Sequence, residues 1–156
     1  MKRILALMLS ILFVLSLAAC GGKETKTADP KALADDMLKA LAAQGETMEV
    51  TGDVAANYYT MGDSVKEYRI YLSTMYLAEE VAVFRAADEK SVDAVKSMCE
   101  QRISDLKDSF DGYLPEEYAV VDENATVLAG GDIVALVIGS KDGVAAAKAV
   151  FDKALG

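Results

Sequence analysis

Residues 126–138 read Thr-Val-Leu-Ala-Gly-Gly-Asp-Ile-Val-Ala-Leu-Val-Ile, two apolar runs separated by a pair of glycines. Short apolar runs beside turn residues are typical of strands, so Thr126–Ala129 and Ile133–Ile138 are predicted strands. Gly130 and Gly131 suit the positive φ angles that a two-residue hairpin turn requires. The two strands are therefore expected to pair antiparallel, which places a sheet at the centre of the fold.

Two further strands are predicted in the middle of the chain. Apolar and polar positions alternate over residues 67–72, which places Tyr68, Ile70 and Leu72 on one face of a half-buried strand. The unbroken apolar run Val81–Phe84 predicts a second strand that is buried more deeply. Together with the hairpin, these patterns predict a sheet of about four strands.

The first predicted helix precedes these strands. Asp29 is a favourable N-cap, Pro30 suits the first helical position, and Gly45 is a plausible end. The segment from Glu46 to Ser64 has mixed spacing and is interpreted mostly as loop. The inward face of the helix carries apolar residues at helical spacing: Leu33, Met37 and Leu41.

Two more helices are predicted, of which the first has the clearest periodicity in the chain. It is capped by Asp88 and ends at Gly112, and residues 113–124 are interpreted as a loop with no more than one helical turn. A closing helix is predicted from about Gly143 to Leu155, with Asp142 as its cap. Its inward face is expected to carry Val144, Ala147, Phe151 and Leu155. The stripe of the longer helix is Val92, Val95, Cys99, Ile103, Leu106 and Phe110.

The order of elements is helix, two strands, helix, two strands, helix. This order predicts an α+β domain whose three helices pack on one face of a mainly antiparallel sheet. Cys99 lies on an apolar helix stripe, where a free cysteine behaves as a small hydrophobe, so a buried structural role is expected for it.

The amino terminus has the layout of an export signal. Lys2 and Arg3 precede an apolar stretch that ends in small residues. The stretch is shorter than the roughly 20 apolar residues that a bilayer-spanning helix needs, so it is interpreted as a removed leader. Leu17-Ala18-Ala19-Cys20, followed by two glycines, resembles the lipobox of bacterial lipoproteins. The alternative is an ordinary signal peptide with an accidental cysteine and a freely secreted product.

The lipobox resemblance implies that Cys20 carries a diacylglyceryl group, and two acyl chains are what stable anchoring requires. Three regions follow: a lipoprotein signal peptide over 1–19, a lipidated cysteine and flexible tether over 20–28, and a single domain over 29–156. The expected location is the extracytoplasmic face of the cell membrane. A polar tether of this length spans roughly 15 Å, so the domain is expected close to the bilayer.

Charge and residue types exclude several function classes. The leader holds two of the 16 basic residues and none of the 25 acidic ones, so its removal moves the net charge from −9 to −11. An acidic domain disfavours nucleic acid as a partner. The chain has no histidine, which removes Ser-His-Asp triads, histidine metal sites and the commonest general base. No catalytic residue, metal ligand or cofactor is assigned.

Acidic residues gather between the end of the longest helix and residue 117. Carboxylates of this kind could hold Ca²⁺, but their spacing does not follow the known calcium loop, and a solvated acidic face is the alternative. The residues concerned are Asp105, Asp108, Asp111, Glu116 and Glu117.

Arginine and tyrosine residues form the one candidate interaction surface. Arg102 flanks the longest helix stripe and could receive an anionic group beside the Tyr113-Leu114-Pro115 loop, with Tyr118 nearby in sequence. Tyrosine rings pack while their hydroxyls stay available, so tyrosine clusters can line binding surfaces. The alternatives are a core rim for the tyrosines and a loop-anchoring hydrogen bond for Arg102.

The lipobox, the Glu79-Glu80-Val81-Ala82-Val83-Phe84 strand, the long helix with Arg102 and the Tyr113-x-Pro115 loop resemble a domain-of-unknown-function family of small lipoproteins from Gram-positive bacteria. The resemblance covers roughly residues 29–155 and implies no activity. The expected function is that of a membrane-anchored binding or interaction module, with an envelope protein or a small ligand as partner. The alternatives are a ligand-capturing subunit associated with a transporter and a carboxylate-based enzyme acting on cell-envelope material.

Overall fold

A computed structural model describes residues 27–74 and 76–156. The predicted signal peptide, Cys20 and most of the tether lie outside the described residues. Within the described part, five strands form one antiparallel sheet in the order β1-β2-β3-β5-β4. The strands are β1 Thr47–Val50, β2 Val65–Ser73, β3 Glu80–Ala86, β4 Thr126–Gly130 and β5 Ile133–Ile138.

Five α-helices accompany the sheet in the described part of the chain. They are α1 Pro30–Leu41, α2 Gly52–Ala56, α3 Val92–Phe110, α4 Pro115–Asn124 and α5 Lys141–Leu155. The predicted α+β class is therefore confirmed, whereas the expected counts of four strands and three helices are too low. None of these helices combines the length and apolarity needed to cross a bilayer.

The central strands β3 and β5 bury side chains on both faces of the sheet. Ala82 and Phe84 point to a core beneath α3 and α4, while Val81 and Val83 point to a second core beneath α1 and α5. The expectation that all helices pack on one face is therefore wrong. The unbroken apolar runs follow from burial on both faces, because neither face of a central strand meets water.

The hairpin between β4 and β5 is confirmed, but its turn lies one residue later than predicted. Gly130 pairs with Ile133 and still belongs to β4. The two turn residues are Gly131, with φ of 59°, and Asp132. The positive φ angle falls on a glycine, where it costs least.

The segment interpreted as loop before β2 contains both β1 and α2. Strand β1 pairs antiparallel with β2, with Val50 opposite Ile70. Only Val50 of its four residues is buried, so its sequence lacks the alternation that reveals a strand. Helix α2 is five residues long, too short to show a helical period.

The segment interpreted as a loop before β4 is the ten-residue helix α4. Pro115 occupies its first turn, where proline loses no hydrogen bond, and Glu116 and Glu117 favour the positive end of the helix dipole. Val121 is its only buried residue, and the absence of an apolar stripe explains why the sequence did not reveal this helix.

The predicted start of α1 is confirmed, because the Asp29 side chain accepts the backbone N–H of Lys31. Its end is not at Gly45 but at Leu41, followed by Ala42 with φ of 50°. Gly112, with φ of 67°, lies just after α3 as expected.

The remaining caps are partly as predicted. Asp88 caps a short 3-10 turn, Glu89–Ser91, that leads directly into α3. Helix α5 is capped by Ser140, whose hydroxyl accepts the N–H of Gly143, and not by Asp142. A Cβ atom on Gly143 would lie 2.4 Å from the Leu41 carbonyl oxygen, so glycine lets the start of α5 approach the end of α1.

Candidate functional site

A buried ion pair joins the sheet to the longest helix. Glu80, the first residue of β3, is only 2 % exposed and faces α3. Arg102 on α3 donates from Nη2 and Nε to Glu80 Oε2, at 2.9 and 3.1 Å. The side chain of Arg102 is 12 % exposed, so both charges lie largely out of water.

Two tyrosines complete this group, which we call the Glu80 cluster: Glu80, Arg102, Tyr58 and Tyr59. The buried Tyr59 hydroxyl donates to Glu80 Oε1, and its ring lies edge-on to Phe84 with centroids 5.0 Å apart. The Arg102 guanidinium lies 4.9 Å from the ring centroid of Tyr58, within cation–π range. Both carboxylate oxygens and two guanidinium nitrogens are thus hydrogen-bonded, as a buried ion pair requires.

Burial controls the ionisation of the groups around this cluster. Burial raises the pKa of Tyr59 well above 10.0, and the neighbouring Glu80 charge raises it further. Burial opposes the charge on Arg102, yet attraction to Glu80 keeps the pKa of Arg102 above its ordinary value. Burial also raises the pKa of Cys99, which is fully buried as expected and stays a neutral thiol.

The raised pKa of Tyr59 predicts a loss of stability at alkaline pH. The unfolded chain releases this proton near pH 10, its ordinary value, whereas the folded chain holds it to higher pH. The free energy of unfolding should therefore be maintained below pH 10 and fall above it, with a slope approaching about 1.4 kcal/mol per pH unit for each such proton.

Urea unfolding of the wild type and of Tyr59→Phe between pH 8 and 11.5 would measure this slope, and the difference between the two curves isolates Tyr59. Tyr71→Phe is the comparison, because burial raises the pKa of Tyr71 to about 12 and so limits its contribution to the interval between pH 10 and 12. Parallel curves for wild type and Tyr59→Phe would contradict the assignment.

The chain that enters β3 is held by two further carboxylates. Both oxygens of Glu79 accept the N–H of Gln44 at 2.9 Å, and Oε2 also accepts that of Gly45 at 3.1 Å. Glu117 on α4 accepts the N–H of Ala78 at 2.7 Å. Three consecutive residues are therefore tied to three different parts of the fold.

Next to this segment lies an apolar depression of about 420 Å³, which we call the tyrosine groove. Tyr76 and Leu77 form one wall, and Leu114 with Pro115 forms the other. Tyr76 is 80 % exposed, and Tyr113, which precedes Leu114, is 72 % exposed. The groove is lined by Tyr76, Leu77, Leu114, Pro115, Glu116 and Glu117.

The structure divides the predicted interaction surface. Arg102 contacts Glu80 and the two tyrosines of its cluster, and no hydrogen bond, ion pair or ring contact in the described part joins it to Tyr113 or Tyr118. Tyr113 is exposed and directly precedes Leu114, a wall residue of the tyrosine groove. Tyr118 is half-buried in the first turn of α4. Cys20 lies outside the described residues.

Sequence reasoning missed Tyr58, Tyr59, Glu79 and Glu80 as members of polar clusters. One signal was present for Glu80: strand alternation places it on the same face as Ala82 and Phe84. An acid on an inward strand position and an arginine beside an inward helix stripe predict a buried pair. Tyr58 and Tyr59 lie in an irregular segment that carried no such signal.

The acidic residues considered for calcium are dispersed over other contacts. Asp105 accepts a hydrogen bond from Gln101, and Glu117 accepts the Ala78 N–H. Among the described residues, no group of three acidic, cysteine or histidine side chains is placed to hold a metal ion.

Comparison with known families confirms one part of the resemblance, a domain of unknown function. Residues 39–139 match a family model described as a domain of unknown function, DUF4358, and the chain belongs to this family. The match is narrower than the expected span of 29–155. No curated protein and no solved structure matches the chain.

Proposed function

We propose that this DUF4358 chain is an interaction module held by a lipid on Cys20 at the outer face of the cell membrane. Its partner is a protein that inserts an apolar, basic segment into the tyrosine groove. The observation that carries the proposal is the exposed Tyr76 on one wall of an apolar groove, with the exposed Tyr113 directly before Leu114 of the other wall. Exposed aromatic side chains beside a depression are the usual anchors of protein interfaces.

The basic character of the partner follows from charge. Glu116 is exposed at the groove and forms no ion pair with any described residue, while Glu117 contributes a second carboxylate to its wall. The whole chain carries a net charge of −9. A partner segment with a lysine or arginine next to an apolar side chain would complement both the acidic rim of the groove and the negative charge of the whole chain.

The groove walls are held in place before any partner arrives. The Ala78 N–H bond to Glu117 ties the β2–β3 connection directly to α4, so the two walls are linked across the groove. Pro115 restricts the backbone of the second wall. A preformed site loses less conformational entropy on binding, which favours affinity.

The groove and the proposed tether lie at opposite ends of β3, which suits a membrane-anchored protein. Arg85, near the end of β3, donates to the Ala28 carbonyl oxygen at 2.8 Å and so holds Ala28, the last residue of the proposed tether, at that end of the strand. The groove lies at the opposite end of β3, beyond Glu80. Since a strand rises about 3.3 Å per residue, the two ends of β3 are separated by about 20 Å. A lipid on Cys20 would thus leave the groove open on the side away from its attachment.

Mass spectrometry of the amino terminus tests the proposed lipid anchor. The Cys20-containing amino terminus of membrane-extracted protein should carry a diacylglyceryl adduct, and Cys20→Ala should move the protein out of the membrane fraction. Cys99→Ala is the matched control, because a buried thiol takes no lipid, and it should stay in the membrane. Recovery of wild-type protein only as an unmodified soluble species would refute the anchor.

The groove is tested by photo-crosslinking in intact cells that produce the protein. A photoreactive phenylalanine analogue replacing Tyr76 should yield one discrete crosslinked species. The same analogue replacing Val54, an exposed apolar residue on α2, is the control and should not yield that species. The species from position 76 should decrease several-fold when Glu116→Lys is added, because the charge at the rim is reversed.

Equal crosslinking from positions 76 and 54, or a yield that Glu116→Lys leaves unchanged, would contradict the groove as the binding surface. The lipid on Cys20 and the groove are separate claims. The mass measurement decides the first and the crosslinking decides the second.

A further inference from the structure

A second depression, of about 280 Å³, lies against the Glu80 cluster and away from the tyrosine groove. We propose that it binds a neutral, hydroxyl-rich ligand of mono- or disaccharide size. Helix α3 presents polar side chains one turn apart toward it, and the segment after α2 adds an aromatic ring. Its polar and aromatic lining comprises Tyr58, Thr60, Ser97, Gln101, Arg102 and Asp105.

Arg102 supplies hydrogen-bond donors, and its positive charge is already compensated by Glu80. Glu80 takes the hydrogen bonds of Nε and Nη2 and compensates the positive charge. Nη1 has no partner among the described residues, so its N–H groups are available to acceptor oxygens of a ligand. Asp105 adds negative charge at the rim, which repels anions. The donors therefore suit neutral oxygen atoms, such as hydroxyl or ring oxygens.

Tyr58 supplies an apolar platform. The residue is 38 % exposed, and the guanidinium of Arg102 lies 4.9 Å from the centroid of its ring. This contact places the ring beside the guanidinium at the pocket. The π face of an aromatic ring is electron-rich, so it attracts the weakly positive C–H groups that line one face of a sugar ring. Met98 extends the apolar surface beside it.

Gln101 and Asp105 form a prepared pair of planar polar groups. Gln101 Nε2 donates to Asp105 Oδ1 at 2.7 Å, so the two side chains are mutually oriented one helical turn apart. Each keeps further donor or acceptor capacity for neighbouring hydroxyl groups. Ser97 and Thr60 add hydroxyls that can donate or accept. The volume of about 280 Å³ is slightly below the roughly 300–1,000 Å³ of typical ligand pockets, so it suits a small sugar.

The test uses saturation-transfer NMR on the full chain with N,N′-diacetylchitobiose as the neutral probe and glucuronate as the anionic comparator. Saturation should pass to the ring protons of the neutral sugar. Tyr58→Ala should weaken binding about tenfold, because the aromatic surface under the sugar ring is lost. Gln101→Ala should weaken it as well, and both variants change exposed residues that leave the core intact.

Tyr76→Ala is the matched control, because it removes an exposed tyrosine from the other surface and should leave sugar binding unchanged. Absence of transfer to the neutral sugar would overturn the proposal. Tighter binding of glucuronate than of the neutral sugar would overturn it too, and so would equal binding by wild type and Tyr58→Ala. The outcome is independent of the tyrosine groove and of the lipid anchor.

Discussion

Arg102→Leu is expected to lower the free energy of unfolding by about 3–5 kcal/mol at pH 7. Glu80 is only 2 % exposed in the wild type, and the substitution removes the cation that compensates its carboxylate. An uncompensated buried charge is among the costliest defects in a folded protein. The Tyr59 hydroxyl still donates to Glu80 but carries no compensating charge. A loss of this size is a large fraction of the stability of a small domain.

Urea unfolding measures this loss, with the double variant Glu80→Gln/Arg102→Leu as the informative comparison. The double variant buries no charge, and its amide oxygen still accepts the hydrogen bond from the Tyr59 hydroxyl. About half of the free energy of unfolding lost in Arg102→Leu should therefore be recovered. Lys148→Ala breaks an exposed pair with Asp152 and should change stability by less than about 1 kcal/mol. If Arg102→Leu alone lowered the free energy of unfolding as little as Lys148→Ala does, the Glu80–Arg102 pair would not be desolvated in solution.

Phe84→Ala is expected to lower the free energy of unfolding by about 3–5 kcal/mol. Phe84 is fully buried at the middle of β3, and its ring contacts Tyr59 edge-on and Tyr68 at a centroid distance of 6.5 Å. Truncation leaves a cavity that the surrounding sheet and helix α3 cannot fill without moving.

Thermal or urea unfolding of Phe84→Ala checks this expectation, and Val54→Ala serves as the exposed apolar control with an effect within about 0.5 kcal/mol. Phe84→Leu should recover part of the loss, because it restores most of the volume. Similar losses for Phe84→Ala and Val54→Ala would place the main core elsewhere in the domain.

The sequence predicted those elements whose burial leaves a regular pattern. Strand β2 shows alternation, β3 and β5 show unbroken apolar runs, and α3 shows a stripe, and each of these exists in the structure. Strand β1 and helix α4 each bury a single residue, Val50 and Val121, so no period could reveal them. Their placement depends on pairing with β2 and on packing against α3, which are contacts distant in sequence.

The candidate site was predictable only in part. The sequence points to the Tyr113-Leu114-Pro115 loop, of which Leu114 and Pro115 line the tyrosine groove. Tyr76, which completes the groove, comes from a connection remote in sequence. Arg102 was singled out for an anion, and its partner proved to be the buried Glu80. A pairing between a strand residue and a helix residue needs the register of the sheet, which composition and spacing do not contain.

The two-sided burial of β3 and β5 bears on where the domain can be cut. The family match over 39–139 includes all five strands but only the last turn of α1 and none of α5. A fragment with those limits would expose the Val81, Val83, Ala135 and Val137 face as a flat apolar sheet surface, the kind of surface that drives aggregation. The stretch shared with the family is therefore smaller than the unit that can fold and stay in solution.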